Sequence, residues 1–183
     1  MKPLLGELYH IYNRGNQKQS IFLNEENYYH FLDKMNEHLV PHVDLLSWTL
    51  MPNHFHFLIH ANEQTIKILE GRVLPITQLS DGMRKLQSSY TQAFNSWYEK
   101  SGNLFHQKYK HKIIGPDVLR QGRNTFHYVH SNPVTAGLVK RMRDWKFSSY
   151  SEYLYPEKKG MCNQDMAMEL LELDRMSILF PTI

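Results

Sequence analysis

A single cysteine, Cys162, stands among 183 residues. That excludes an intramolecular disulfide and fits a reducing compartment. Long apolar runs are missing as well. None approaches the ~18 consecutive apolar residues of a membrane-spanning helix. The opening MKPLLGELYHIYNRG, interrupted by Glu7 and His10, does not read as a signal peptide. There is no internal repeat and no low-complexity tract. The expectation is a soluble, cytoplasmic, single-domain chain whose 42% hydrophobic residues suffice for a core.

Acidic residues are scarce in one place. Residues 101–150 hold two Asp/Glu against nine Lys/Arg, while residues 1–60 and 151–183 are net acidic, so the overall charge of +3 hides a local excess. A field of that kind attracts a polyanion; a solvated basic face is the plainer reading. Lys108, Lys110 and Lys112 alternate in KYKHK and form a cationic stripe on one face of a strand. Arg120, Arg123, Lys140, Arg141 and Arg143 follow. Tyr109, Phe126, Tyr128 and Trp145 are interleaved with them, aromatics that can stack on unpaired bases.

The pattern of elements is legible. Residues 6–13 alternate and turn at Asn13-Arg14-Gly15, predicting a first strand. Asn24 followed by Glu25 and Glu26, then Tyr28, Phe31, Leu32, Met35 and Leu39, predicts a capped amphipathic helix that Pro41 stops. Residues 43–50 and 54–61 predict a hairpin about Met51-Pro52-Asn53, and residues 62–75 a loop. A long helix carries Ile76, Leu79, Met83, Leu86, Tyr90, Phe94 and Trp97 on one face, with Gly102 as its end. Residues 108–114 read as a strand, and a helix starts at Asp117 and is limited by Pro133. Residues 163–180 read as a last helix, with Met166, Leu170 and Leu173 on one side. The order β-α-β-β-α-β predicts an α+β fold, a ferredoxin-like antiparallel sheet with helices on one face.

Two places carry chemistry. In TLMPNHFHFLIH, strand alternation sends Phe55, Phe57 and Ile59 into the core and His54, His56, Leu58 and His60 to the other face. Two imidazoles on one face can converge on a metal ion, given a further ligand from elsewhere, or can simply line the sheet. His106 and His111 match no zinc-finger spacing. In FHYVHSNP, Tyr128 and Asn132 are four apart and share a helix face. A phenolate oxygen can attack phosphorus where a nearby cation neutralises charge; an ordinary packed tyrosine is the alternative in a chain that has 11 of them.

Five segments together resemble a known family. MPNHFHFLIH (51–60) resembles the His-hydrophobic-His (HUH) motif of IS200-like single-tyrosine transposases, closest to their REP-associated branch. YHIYNRGNQKQSIF (9–22), LFHQKYKHKII (104–114), YVHSNPVTAGLV (128–139) and WKFSSYSEY (145–153) resemble its first strand and turn, fourth-strand region, tyrosine helix and following segment. The resemblance implies a transposase domain over residues 1–153, with the tyrosine helix on the far side of the sheet, and a C-terminal helical extension over 154–183. It implies cleavage and rejoining of single-stranded DNA beside a hairpin through a 5′-phosphotyrosine, with Tyr128 as nucleophile and Mg²⁺ or Mn²⁺ on His54 and His56. Relatives complete the metal site with a glutamine one turn after the tyrosine. Asn132 stands there in this chain, one methylene shorter, with His130 as a fallback ligand on another helix face. By charge and placement Arg14, Lys108, Lys110, Lys112 and Arg123 are the expected DNA contacts; Gln87 and Ser88, on the polar side of the long helix, are not counted among them. A nucleoid-associated enzyme needing no energy cofactor follows, as monomer or homodimer. The alternative is a domesticated hairpin-binding protein that no longer cuts.

Overall fold

The computed structural model describes residues 2–71, 73–155, 157 and 160–179. The chain runs β1 (Leu8–Arg14), α1 (Glu25–His38), β2 (Asp44–Met51), β3 (His54–His60), α2 (Glu63–Ile66), β4 (Ile68–Leu69), β5 (Ile76–Thr77), α3 (Gln78–Trp97), β6 (Lys110–Ile113) and α4 (Val118–Thr135). Short helices α5 (Tyr150–Leu154), α6 (Gln164–Leu170) and α7 (Arg175–Leu179) follow. Four strands form an antiparallel sheet in the order β2-β3-β1-β6. This is the ferredoxin-like arrangement, with α1 and α3 on one face. Among the described residues no helix is long and apolar enough to cross a membrane.

Strand alternation divides the apolar residues between two cores. Tyr9, Ile11, Leu50, Phe55, Phe57 and Ile59 face α1 and α3, where they meet Phe31, Met35, Leu86 and Tyr90. Leu8, Leu46 and Leu58 face the opposite way and meet Phe126 of α4, Tyr150 and Tyr153 of α5, and Leu171. The register shift between Leu45 and Ser47 lets Leu45 and Trp48, three apart, reach the same core. The face expected to carry the tyrosine helix is covered by α4 and the C-terminal helices. Its β6 end stays accessible, all four residues of that edge strand being exposed.

Two helix starts obey simple capping chemistry. The Asn24 side chain accepts from Asn27 N at 3.0 Å, with Glu25 and Glu26 in the positive first turn of α1. Thr77 caps α3 in the same way, accepting from Ser80 N at 3.2 Å. The helices α1 and α3 cross at Gly82, where a Cβ would lie 2.3 Å from the His38 carbonyl oxygen. No side-chain rotation relieves a clash with backbone. Gly82→Ala is expected to push the helices apart and cost about 1–3 kcal/mol, read as a fall of several degrees in Tm.

Four boundaries differ from the sequence expectation, each for a local reason. The 62–75 segment is not a plain loop: Asn62 caps α2 through a reciprocal pair with Thr65, and β4 pairs with β5. Ile76 therefore belongs to β5 rather than to the long helix. That helix ends at Trp97, five residues before Gly102, because Glu99 takes the left-handed conformation (φ 51°) instead. Pro133 lies inside α4. In the last turn it forfeits one backbone bond. Gly137 (φ 71°) then closes the helix, with Leu138 N to Pro133 O and Gly137 N to Val134 O both at 2.9 Å. The last helix is two: Glu172 (φ 43°) breaks the run, and Asp174 starts α7 by accepting from Ser177 N at 2.6 Å. Leu173 sits buried in that break, and position 180 of the expected helix lies outside the described residues.

Candidate active site

The antiparallel register of β1 and β3 sets Tyr12 opposite His56 and Arg14 opposite His54. Alternation then places His10, Tyr12, His54 and His56 on one face, the face that α4 covers. His10 Nε2 and His56 Nδ1 are 2.9 Å apart, and their rings stack with centroids 5.0 Å apart. His54 Nδ1 lies 2.6 Å from Asn53 Oδ1. From α4, Tyr128 brings its ring edge-on to both imidazoles, 5.7 Å from His10 and 5.5 Å from His56 between centroids. Tyr128 itself remains 49% exposed. A cavity of about 320 Å³ opens beside it, lined by Tyr12, Asn13, Arg14, Lys18, Asn53, His54, His56, His106, Lys108, Lys110 and Tyr128.

The electrostatics keep these imidazoles neutral. Burial pulls His56 down to about 2, reinforced by the neighbouring His10 and His54. Burial also pulls His10 down to about 4, with the Lys112 ammonium adding to it. His54 is lowered by burial alone. A neutral imidazole carries one lone pair. Where Nδ1–H of His54 donates to Asn53 Oδ1, that lone pair is on Nε2, the arrangement of a metal-ligating histidine held by an outer hydrogen bond. His56 reaches the same state when its Nδ1–H donates to His10.

Six of the expected site residues come together: Arg14, His54, His56, Lys108, Lys110 and Tyr128 all line the cavity. Lys112 stands across the β1–β6 pairing from His10, and Lys110 across from Tyr12. Three do not join them. Asn132 folds back on its own helix, its Nδ2 donating to Tyr128 O at 2.6 Å. This is the local bond that a short amide makes one turn along a helix. His130 is buried in the second core, with Nε2 2.8 Å from Ser149 Oγ and its charged form strongly disfavoured by burial. Arg123 donates to the carbonyls of Leu171 and Glu172 at 2.6 Å each, closing the end of α6. No group of three or more His, Cys, Asp or Glu placed to hold a metal occurs among the described residues.

The interleaved aromatics are structural for the most part. Phe126 is fully buried, and Trp145 packs on the first core and donates from Nε1 to Leu50 O. Tyr109 packs on the same core. His10, Tyr12, Lys18 and Asn53 were not singled out from sequence. The alternation of LYHIYNR carried the signal for the first two, since Tyr9 and Ile11 take the core side.

No family model matches the chain, and no curated protein matches it. Among solved structures, a REP-associated tyrosine transposase bound to a REP hairpin superposes with a TM-score of 0.60 over 86% of this chain and 85% of that chain, at 17% identity. The chain has the fold of a REP-associated tyrosine transposase. A bacterial tRNA(His) guanylyltransferase-like protein in complex with ATP also aligns, at 8% identity over 95% of this chain and 75% of that one, with a TM-score of 0.43. The sheet face bearing His54 and His56 and the helix α4 bearing Tyr128 together line the cavity described above.

Proposed function

We propose that this protein cuts and rejoins single-stranded DNA beside a hairpin, with Tyr128 as the nucleophile. One observation carries the reading. A half-exposed tyrosine stands over two neutral histidines in a cavity that four cations, Arg14, Lys18, Lys108 and Lys110, line without a carboxylate. Cations at that density suit a phosphodiester, and the open cavity suits an unpaired strand. The neighbour of like fold is itself bound to a REP hairpin, which supports a hairpin as the partner here.

In the proposed reaction the Tyr128 oxygen attacks phosphorus and the bond to the 3′-oxygen breaks. The phenolic proton leaves through the open cavity, and the departing oxygen takes a proton from water to become a 3′-hydroxyl. The strand stays attached as a 5′-phosphotyrosine. That ester conserves the energy of the broken bond, so a second 3′-hydroxyl reverses the step without ATP. Arg14, Lys108 and Lys110 would hold the phosphates on either side, which fixes the in-line geometry. The donor set fits a divalent cation: in the tautomers that donate from Nδ1, His54 to Asn53 and His56 to His10, each imidazole would present Nε2 to a metal. Mg²⁺ or Mn²⁺ held by these two residues would neutralise charge developing on the phosphate.

A labelled hairpin with single-stranded flanks, copied from DNA beside the gene, tests the proposal. It should be cut only with a divalent ion, without ATP, and leave a 3′ end that a polymerase extends. Tight binding without cutting under any divalent ion would favour the hairpin-binding reading, for which the turned-back Asn132 is the specific support. The cations make a separate prediction. Lys108→Gln together with Lys110→Gln should flatten the slope of log affinity against log salt by about 1.4–1.8, measured by fluorescence anisotropy across a salt series.

A further inference from the structure

A second and larger cleft adjoins the first. It has a volume of about 730 Å³ and runs between the polar face of α3 and the segment 102–111, and it shares His106 and Lys108 with the tyrosine cavity. The partition between the two is built. Asn13, buried on β1, donates from Nδ2 both to Gln87 Oε1 on α3 and to His106 O, the latter at 3.1 Å. His106 N in turn donates to Arg14 O at 2.9 Å, and Asn16 N to Leu104 O at 2.8 Å. The outer wall is held by Asn95, whose Nδ2 donates to Gly102 O at 3.0 Å. The segment 104–106 is thus fixed to the end of β1, at the mouth of the tyrosine cavity.

The lining of this cleft is unusual in kind. It contains no Asp or Glu. A cation stands along it at Lys108, a second at Arg84 is paired with Asp81 on its own helix at 2.8 Å, and amides stand at Gln87, Gln92, Asn95, Asn103 and Gln107. Gln87 and Asn95 are used by the scaffold, as above. Gln92, Asn103 and Gln107 are exposed and make no side-chain hydrogen bond among the described residues. A side-chain amide offers a donor and an acceptor side by side, the complement of a base edge. A duplex engages its pairing edges internally, whereas a single strand presents them.

The geometry points to this cleft as the track for the unpaired strand running away from the scissile phosphate, with Gln92, Asn103 and Gln107 reading its bases. This deepens the proposed function and rests on it. The shared His106–Lys108 edge means that a strand leaving the tyrosine cavity enters the cleft directly. Sequence preference in the unpaired flank is then a property of α3 and the 102–111 segment, not of the hairpin stem.

The test uses the full chain and hairpin oligonucleotides carrying unpaired flanks of randomised sequence. Binding is measured for the wild type and for the combined variant Gln92→Ala, Asn103→Ala and Gln107→Ala, with circular dichroism as the check on folding. The wild type is expected to prefer some flanks by about tenfold or more, and the folded variant to lose that preference. A folded variant that keeps the wild-type ranking of flanks overturns the cleft assignment, as does a wild type that binds hairpins but ranks no flank above another. A wild type that binds no hairpin at all, flanked or blunt, overturns the proposed function and the cleft together. A variant that unfolds is replaced by Gln92→Glu, where a carboxylate set against the strand should weaken flanked hairpins and leave blunt ones alone; equal affinity for flanked hairpins overturns the assignment.

Discussion

Tyr128→Phe is expected to abolish strand cleavage, a fall of more than ~10³-fold, while hairpin binding persists. Only an oxygen is removed. The ring keeps its edge-on packing against His10 and His56, so the cavity keeps its shape. The lost hydroxyl belongs to a residue that is 49% exposed, and stability should stay within about 0.5 kcal/mol of wild type. Cleavage on a denaturing gel, binding by anisotropy and melting by circular dichroism separate these effects. A phenylalanine variant that still cuts would move the nucleophile elsewhere.

His54→Ala has the second-largest expected effect, a loss of about 10²–10³-fold in cleavage with the fold intact. His54 is the better probe of the pair for a structural reason. His56 is 5% exposed, stacked on His10, tilted against Tyr12 and edge-on to Tyr128. Its removal leaves a hole and takes from His10 its hydrogen-bond partner, so lost activity and lost stability would be confounded. His54 is only half-buried, and among the described residues its side chain bonds to the adjacent Asn53. If the histidines act through a divalent ion, calorimetric titration with Mn²⁺ should show binding to the wild type that weakens in this variant. Unchanged cleavage by His54→Ala would remove the histidine pair from the chemistry.

Much of the fold was legible because period-2 and period-3.6 patterns depend on local sequence. HFHFLIH reads as a strand whose alternate residues take opposite faces, and the structure divides Phe55, Phe57 and Ile59 from His54 and His56 in that way. The asymmetry of the sheet was less legible. Leu58, on the histidine face, signalled a second core, yet that core is assembled from α4, α5 and Leu171 far along the chain. Helix ends were missed where a residue other than glycine took a positive φ, at Glu99 and Glu172. Composition gives no warning of those.

The candidate site divides along the same line. Side chains placed by strand alternation or by one helix face were found: His54, His56, Lys110 and Tyr128 meet at one cavity. Side chains whose role depends on a distant partner were not. Arg123 was grouped with the phosphate contacts on charge, but its guanidinium is spent on two carbonyls about fifty residues away in sequence. Asn132 shares a face with Tyr128 as the spacing requires, and its amide then satisfies itself on its own helix. His10 needed the β1–β3 pairing to be seen, since nothing in local sequence sets it against His56.

The most direct measurement is to trap the covalent intermediate. The protein is incubated with a flanked single-stranded hairpin and Mn²⁺, denatured, digested with protease and analysed by mass spectrometry. The account predicts a nucleotide-modified peptide with the phosphate ester on Tyr128, absent without the metal. An adduct on any other residue, or cleavage with no protein–DNA adduct, would contradict it.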